Sequence, residues 1–536
     1  MMRTFVDLIR HLARNPDRVV LSCEGRHYRG GEVVERSRRI ARALLSAGIG
    51  RGDRVCLWVG NRVEFVLIEL AVTMVGAIFV PIQSRYGAKE LNNIVSRAEP
   101  ALLIYQPGFL RVDLDAILER AFPDAATGRI ENVPSLRQII SLDGSRHAGV
   151  VRWEDFLEAA GRLSEAKLDT VMSDVDPDDP AICIFTSGTT GIPKGAMLSH
   201  GAILTTEQKV GDVLGIAPGE RVLYGAPLPS VFGCCNALVA SWTHDACLVV
   251  MPTFEAGEAL DTIENEQCNV IYGVPTMYLT LLNHPQFRPE RTASLRSGIV
   301  GGAPCPPALA DAIIGRLGVR ELVSGYGMSE TCAVITLTRI GDPVELVTNS
   351  VGRPLDGVEV QIWDTASPSV LAADTEGEIC VRGSNLMLGY FAGDAGLATP
   401  FHDGWFRTGD LGRLRGDGNL RITGRVSDMI LVGGFNVYPV EIEAVLASHP
   451  DVVQAHVVGI ADERMGELPV AFVELRSESD VDPEAISRFC ADRIAKYKVP
   501  TQFHFVDSFP MTPLGKVQKF ELKKMAAKAV TDGRML

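Results

Sequence analysis

The sequence predicts an α/β protein with a large N-terminal part and a small α+β domain at its C-terminal end. Three observations lead to this fold class. Apolar runs of strand length alternate with amphipathic helical segments up to about Pro354, which is typical of a parallel sheet. Short, turn-bounded strands follow and indicate a small antiparallel barrel. The C-terminal residues then mix strands with helices, as a small separate domain would.

The alternation begins close to the N-terminus. Apolar residues between Val34 and Leu45 fall largely on one helical face, and Gly48 stands where a helix stop is expected. Residues 52–59 predict a buried strand, and residues 64–75 predict the next helix. The same alternation continues through residues 237–250, 268–274 and 295–300. These elements predict a large parallel α/β core.

After Pro354 the alternation of strands and helices gives way to short strands bounded by turns. Residues 357–364 and 377–383 are the short strands of the predicted barrel, and a polar stretch near Gly424 marks a domain boundary. Beyond it, two strands and two helices are predicted, at residues 452–458, 470–475, 439–447 and 483–494. The sequence therefore predicts an N-terminal domain over residues 1–424 and a C-terminal domain over residues 428–536.

Composition excludes several classes of function. The 536 residues carry a formal charge of −14, which argues against general binding of nucleic acid or anionic membranes. The apolar run from Leu70 to Ile82 is shorter than the ~20 residues of a membrane-spanning helix. Eleven cysteines occur without a CxxC pair, and Cys234 and Cys235 are adjacent, which fits a secreted disulfide framework poorly. We therefore expect a cytoplasmic protein without a membrane span.

The chain is organised around a Gly/Thr-rich stretch, Phe185–Gly195, that follows the apolar strand 181–184. Glycines let backbone N–H groups turn toward one point, and hydroxyls and a lysine add donors, so the stretch predicts a phosphate-binding loop. A polar surface turn is the alternative. It is not a Walker A loop, because proline precedes Lys194 and glycine follows it. The donors predicted to hold phosphate are Thr186, Ser187, Gly188, Thr189, Thr190 and Lys194.

Three further motifs suit a nucleotide. Small residues in Gly301-Gly302-Ala303-Pro304 would let a flat base approach the backbone, although the stretch alone reads as a turn. Residues 325–331 read Gly-Tyr-Gly-Met-Ser-Glu-Thr, and a tyrosine ring can stack on a purine while a carboxylate suits Mg²⁺. Residues 404–412 contain Asp410, whose two oxygens match the spacing of a ribose diol.

Together with residues 424–439 and 510–519, these motifs stand in the order and spacing of a known family, over nearly the whole chain. The chain resembles the AMP-forming adenylating enzymes, which include acyl-CoA synthetases, carrier-protein adenylation domains and beetle luciferases. The resemblance implies two stacked αβ subdomains and a small β-barrel, followed by a mobile C-terminal domain. It also implies a hinge at residues 425–427 with Ser427 as the pivot.

The resemblance also implies roles for single residues. Tyr326, Gly327 and Ser329 would lie at the adenine and phosphates, Glu330 and Thr186 at Mg²⁺, and Arg425 at the ribose and phosphate side. Gly433 and Gly434 would line the passage of the CoA pantetheine arm. Lys516 would reach both the substrate carboxylate and the α-phosphate, and would act in catalysis with Thr186 and Glu330.

The implied activity is that of an acid:CoA ligase using ATP, Mg²⁺ and coenzyme A. The acid would attack the α-phosphate of ATP, and the acyl-AMP would then pass its acyl group to the thiol. Alternatives are loading of a carrier protein, catalysis of one half-reaction only, and a catalytically idle nucleotide-binding regulator. We expect a monomer or homodimer.

Two departures from the family pattern bear on substrate and motion. Many relatives carry an aromatic residue and a histidine where Pro229 and Ser230 stand. We expect a wider acyl pocket there, suiting a cyclic, aryl or branched acid, lined by Ser230, Val231, Phe232, Cys234, Gly327 and Met328. Cys234 and Cys235 are read as small apolar residues and not as nucleophiles. At the pivot the family usually places Asp or Lys, whereas Ser427 stands here.

Overall fold

The computed structural model describes residues 2–186, 193–393, 396–433, 435–462, 464–476, 479–511 and 517–531. The predicted site residues Ser187, Gly188, Thr189, Thr190, Gly434 and Lys516 lie outside these ranges. Within them the chain forms two compact units. Unit 1 comprises residues 1–359 and 381–406, and unit 2 comprises residues 360–380 and 407–536.

The strands are, in chain order, β1 (Val19–Cys23), β2 (Arg26–Arg29), β3 (Arg54–Trp58), β4 (Ile78–Ile82), β5 (Leu102–Tyr105), β6 (Gly108–Phe109), β7 (Val112–Asp113), β8 (Gln138–Ser141), β9 (Val151–Arg152), β10 (Pro180–Thr186), β11 (Lys194–Ser199), β12 (Arg221–Tyr224), β13 (Cys247–Val250), β14 (Val270–Gly273), β15 (Ser297–Val300), β16 (Glu321–Tyr326), β17 (Thr336–Leu337), β18 (Arg353–Pro354), β19 (Val358–Trp363), β20 (Gly377–Gly383), β21 (Gly389–Phe391), β22 (Leu397–Ala398), β23 (Phe401–His402), β24 (Trp405–Leu414), β25 (Leu420–Arg425), β26 (Ile430–Val432), β27 (Phe435–Val437), β28 (Val452–Asp462), β29 (Gly466–Leu475) and β30 (Gln502–Phe505).

The α-helices are α1 (Phe5–Arg14), α2 (Gly30–Ser46), α3 (Val63–Met74), α4 (Ala88–Ala98), α5 (Leu114–Ala121), α6 (Trp153–Glu158), α7 (Glu165–Ser173), α8 (His200–Val213), α9 (Leu238–Thr243), α10 (Ala256–Glu266), α11 (Pro275–Leu282), α12 (Pro307–Ala312), α13 (Val344–Asn349), α14 (Pro439–Ala447), α15 (Pro483–Ala491) and α16 (Lys519–Thr531). Residues Val231–Ala237 form a π-helical turn that runs directly into α9.

Unit 1 contains two nine-stranded sheets. One has the order β18-β17-β16-β15-β14-β12-β13-β1-β2, and its inner strands β12 to β16 run parallel. The other has the order β22-β21-β11-β10-β4-β3-β5-β8-β9 and is parallel from β10 to β9. Its strands β10, β11 and β21 pair antiparallel, as a hairpin and its neighbour do. The inner strands are apolar on both faces because helices cover them, as parallel sheets require.

Helix α3 is apolar around nearly its whole circumference, and every residue except Glu64 is buried. A helix of this kind belongs to the interior of a large domain. Glu69 lies on this helix and has no exposed surface.

The remaining strands form smaller sheets. A five-stranded sheet has the order β19-β20-β24-β23, with β25 paired to β24, where the sequence predicts the small barrel. The C-terminal part of unit 2 has a sheet ordered β27-β26-β29-β28, with β30 beside β29, and helices α14 to α16. Its core includes Ile442 and Leu446 of α14 and Ile486 of α15, which are completely buried. The α+β character predicted for the C-terminal residues is therefore observed.

Candidate active site

The predicted phosphate loop connects two adjacent strands. Thr186 is the last residue of β10 and Lys194 the first of β11, and the two face each other in the antiparallel register. The Thr186 hydroxyl donates to the Lys194 carbonyl oxygen at 3.4 Å. The hairpin geometry therefore closes the two ends of the Gly/Thr-rich stretch onto one point.

Glu330 lies in a single 3₁₀ turn, Ser329–Thr331, and is almost completely buried. Its backbone carbonyl accepts a hydrogen bond from the Met387 N–H at 2.9 Å, and its Oε1 accepts one from the Tyr390 hydroxyl at 2.9 Å. No described residue donates a hydrogen bond to its second carboxylate oxygen. Such an oxygen is the hard ligand that Mg²⁺ prefers, so the donor set fits this ion.

Tyr390 joins the two motifs. It lies on β21 opposite Ala196 of β11, and its ring stands 5.2 Å from the Lys194 ammonium. Burial and the neighbouring Glu330 carboxylate raise the pKa of the Tyr390 phenol, so the hydroxyl remains a hydrogen-bond donor. Tyr390 therefore lies between Glu330 and Lys194, and Lys194 faces Thr186 across the hairpin. Sequence reasoning missed Tyr390, because a tyrosine in a three-residue strand carries no signal of its partner 60 residues away.

The predicted adenine-binding residues lie at one edge of the first sheet. β15 and β16 are parallel neighbours, and the segment 301–304 follows the former while Tyr326 ends the latter. Since carboxyl ends of parallel strands share one edge, the two motifs are brought together. Gly302 has φ +79°, a conformation that suits glycine. A Cβ on Gly327 would stand 2.0 Å from the Ala333 carbonyl oxygen, so no other residue fits there.

The predicted acyl-pocket wall is the π-helical turn that follows Ser230. The Ser230 hydroxyl accepts from the Gly233 N–H at 3.2 Å and donates to the Pro227 carbonyl at 2.9 Å, so it caps the turn. Phe232 is half-buried against Tyr272, with ring centroids 5.3 Å apart. Val231 is also partly exposed, whereas Cys234 is completely buried.

Both adjacent cysteines of the turn are completely buried. Burial raises the pKa of the Cys235 thiol well above its usual range, which disfavours a thiolate nucleophile at this position. The other cysteines are buried as well, and all eleven, which lie in the described ranges, are free thiols.

In unit 2, Asp410 of β24 and Arg425 of β25 form a pair. They are opposite each other in the antiparallel register, and the Arg425 Nε donates to the Asp410 Oδ1 at 2.7 Å. The Asp410 side chain is 7% exposed and that of Arg425 is 49% exposed. The carboxylate is thus fixed in a buried setting while the guanidinium reaches solvent, an arrangement that fits a ribose diol beside a phosphate.

Other predicted residues of unit 2 are placed as follows. Gly433 has φ +57°, and a Cβ on it would stand 2.7 Å from the Met465 Cε. Ser427 occupies the 3₁₀ turn Val426–Asp428. Met511 and Val517 form an antiparallel bridge, and Lys516 lies outside the described residues.

Comparison with known proteins identifies the family. A family model described as AMP-binding enzyme matches residues 8–391, and a second, described as AMP-binding enzyme C-terminal domain, matches residues 441–516. The chain belongs to the AMP-binding enzymes. It is an AMP-forming acyl-CoA synthetase, and the family resemblance and fold class predicted from the sequence are confirmed.

Two curated relatives and one solved structure illustrate the similarity of this synthetase. It is 34% identical over 506 residues to the mitochondrial medium-chain acyl-CoA ligase ACSF2 of Bos taurus, covering 92% of this chain and 82% of the bovine protein. It is also 34% identical over 496 residues to 3-[(3aS,4S,7aS)-7a-methyl-1,5-dioxo-octahydro-1H-inden-4-yl]propanoyl:CoA ligase of Rhodococcus jostii (strain RHA1), covering 92% and 93%. The crystal structure of ATP-bound MatB from Rhodopseudomonas palustris superposes with a TM-score of 0.86 at 28% identity, covering 98% of this chain and 99% of that one.

These comparisons make the protein an ATP-dependent acid:CoA ligase, and they are consistent with a small carboxylic acid, ATP and CoA as its substrates. In the described part of the chain, no helix combines the length and apolarity needed to cross a bilayer.

Proposed function

We propose that this acyl-CoA synthetase joins a carboxylic acid to CoA in two steps at one nucleotide site. In the first step a carboxylate oxygen bonds to the α-phosphorus of ATP and pyrophosphate leaves. In the second step the CoA thiol sulfur bonds to the acyl carbon and AMP leaves. The position of Tyr390 between Glu330 and Lys194, with Thr186 opposite Lys194, is the observation that supports this most directly.

The chain's residues would lower the barrier by position and charge. Attack of an anion on a phosphate ester is opposed by repulsion, and one preorganised donor is worth about 3 kcal/mol in such transition states. Thr186 and Lys194 would hold the outer phosphates, and Glu330 would hold Mg²⁺. When bound there, that ion would neutralise phosphate charge. Lys516 would bridge the carboxylate and the α-phosphate, and Asp410 and Arg425 would hold the ribose.

The domain boundaries predicted from the sequence are also part of the proposal. Residues 1–424 would bind acid and nucleotide, residues 428–536 would move as the C-terminal domain, and Ser427 would be the pivot between them. Such motion lets one site serve two reactions in succession. Gly433 and Gly434 would line the thiol passage. We also propose that the protein is a monomer or a homodimer and that it is cytoplasmic. The eleven free thiols support a reducing compartment.

The substrate is proposed to be a cyclic, aryl or branched acid. The small Ser230 side chain turns its hydroxyl into its own turn, which leaves no bulky side chain at position 230 of this wall. The Rhodococcus relative is named for an alicyclic propanoic acid, and the bovine relative is named for medium-chain acids. A panel of straight-chain, cyclic and aryl acids tests this: the kcat/KM for thioester formation should favour rings, and a clear preference for straight chains would contradict it.

Replacement of Lys516 tests the reaction itself. Lys516→Ala should abolish acid-dependent exchange of labelled pyrophosphate into ATP, because the charge bridging the two anions is lost, while ATP binding measured by calorimetry is retained. Lys524→Ala is the matched control, since Lys524 is an exposed lysine on α16 paired with Glu521. Unchanged pyrophosphate exchange in Lys516→Ala would contradict the catalytic role proposed for Lys516.

A further inference from the structure

The core of unit 1 contains polar side chains that nothing in the described chain satisfies. Glu69 on α3, Glu207 on α8, Asn236 in the π-helical turn and Tyr272 on β14 are each completely buried. Both carboxyl oxygens of each glutamate, both amide atoms of the asparagine and the tyrosine hydroxyl have no hydrogen-bond partner among the described residues. Buried polar groups are nearly always paired, because leaving one unpaired costs free energy. Four such residues in one region therefore indicate a purpose other than stability.

These residues lie around the wall of the proposed acyl pocket. Helix α8 packs on the π-helical turn, which contains Asn236. The ring of Tyr272 contacts that of Phe232, a half-buried residue of the same turn, at 5.3 Å. Glu69 and Glu207 both interact electrostatically with Cys234, and Glu207 also with Tyr272. The unsatisfied groups, here called the polar lining, thus lie beside the turn that carries residues predicted to face the acid.

The chemistry of the lining selects what could pair with it. Burial raises the pKa of both glutamates well above the usual range, so each is a neutral acid with one O–H donor and one carbonyl acceptor. In the described chain, no group of three or more His, Cys, Asp and Glu side chains could hold a metal ion, so Glu69 and Glu207 do not belong to such a site. An anion would meet neutral groups only, and a hydrocarbon would leave every group unpaired. A neutral oxygen that accepts a hydrogen bond, and in the case of a hydroxyl also donates one, matches the set.

We propose that the acid ligated by this enzyme carries a hydroxyl or keto oxygen remote from its carboxyl group, and that Glu69, Glu207, Asn236 and Tyr272 recognise it. The proposal rests on the ligase function proposed above. Sites built to hydrogen-bond a substrate oxygen reject the analogue without it strongly, because the buried polar groups then stay unpaired.

Three matched acids test the proposal: 3-cyclohexylpropanoic acid, 3-(4-hydroxycyclohexyl)propanoic acid and 3-(4-oxocyclohexyl)propanoic acid. We expect an oxygenated acid to exceed the plain ring acid about tenfold or more in kcat/KM for CoA thioester formation. In Glu207→Leu and in Tyr272→Phe the ratio of kcat/KM between oxygenated and plain acids should be smaller. Glu207→Gln, which keeps a donor and an acceptor, should retain most of the parent's ratio. Glu258→Gln is the control, since Glu258 is exposed on α10.

A second readout does not require turnover. Difference infrared spectroscopy detects the C=O stretch of protonated carboxyl groups, and addition of the 4-oxo acid should shift that band in the parent protein and less in Glu207→Gln. Equal rates for the three acids, or an infrared band that neither oxygenated acid moves, would overturn the polar lining. If the parent protein shows no acid-dependent turnover with any of the acids, the ligase proposal is overturned instead. The infrared measurement would still test whether the polar lining binds the oxygenated acid.

Discussion

At the scale of single residues, Tyr390 is the side chain on which the arrangement of unit 1 depends. Its hydroxyl orients the Glu330 carboxylate, and its ring lies beside the Lys194 ammonium. A hydrogen bond to a charged group is worth about 1.5–3 kcal/mol when both partners are held in place. The tyrosine acts through Glu330 and Lys194, so we regard it as a positioning residue.

Tyr390→Phe should lower acid-dependent pyrophosphate exchange by roughly tenfold, because Glu330 loses the donor that fixes one oxygen. The measurement should be repeated over a Mg²⁺ titration, since a misplaced carboxylate should also raise the Mg²⁺ concentration needed for half-maximal exchange. Tyr28→Phe, on β2 of the other sheet, is the matched control. Unchanged exchange and an unchanged Mg²⁺ midpoint would contradict the role given to Tyr390.

At the scale of elements, sequence patterns predict most of what burial dictates. The strand expected over residues 52–59 is β3, the helix expected over 64–75 is α3, and the helix expected over 439–447 is α14. Gly48 has φ +75° just after α2, as its predicted stop requires. Periodicity predicts these strands and helices because apolar spacing and turn-forming residues are both properties of neighbouring residues in the chain.

The same patterns do not reveal Tyr390 or the buried acids. Glu69 lies in a helix whose other positions are apolar apart from Glu64 and Thr73, and a charged residue there would ordinarily indicate an exposed face. It is buried because α3 packs against α1, α2 and β4. Glu207 likewise becomes interior because α8 packs on α9 and on the π-helical turn. Polar residues that depart from the local pattern and belong to no motif, such as Glu69 and Glu207, are therefore not recognised from the sequence.

The turn Val426–Asp428 yields a prediction at this scale. Ser427 donates to the Asp428 carboxylate at 3.3 Å, and both side chains face solvent. Ser427→Pro fixes φ near −65° and restricts Val426, so rotation about this turn should become slower. We expect CoA thioester formation to fall roughly tenfold while pyrophosphate exchange changes little. Ser427→Ala controls for loss of the hydroxyl, and an equal loss of both half-reactions would argue against a pivot here.

At the scale of the whole molecule, buried titratable groups set the pH range of stability. His200 is buried, and its Nδ1 accepts from the Phe5 N–H at 3.3 Å. Burial lowers the pKa of His200 to about 4 from its ordinary 6.5. A folded pKa below the unfolded one gives stability that is present above pH 6.5 and lost as the pH falls toward 4. The acidic side of the stability curve should therefore be steep.

The two glutamates act in the opposite direction. Their folded pKa values lie well above the ordinary 4.5, so the folded state is most favoured below pH 4.5 and loses stability as the pH rises through the folded values. Each contributes a slope of up to about 1.4 kcal/mol per pH unit over that interval. Above pH 4.5 the two falling contributions outweigh the single rising contribution of His200, so these three groups should place maximal stability on the acidic side, close to pH 4.5.

Urea unfolding from pH 4 to 9, followed by the fluorescence of the fully buried Trp58 and Trp242 of unit 1, measures both effects. In a Glu69→Gln, Glu207→Gln double variant the free energy of unfolding should exceed that of the parent by an amount that grows with pH above 4.5, because neither amide titrates. Relative to the parent, His200→Asn should instead gain stability as the pH falls from 6.5 to 4, since asparagine can still accept from the Phe5 N–H and takes up no proton. Curves parallel to the parent's for the double variant would mean that Glu69 and Glu207 are ionised in the folded protein. The hydrogen-bonding lining of neutral acids would then lose its chemical basis.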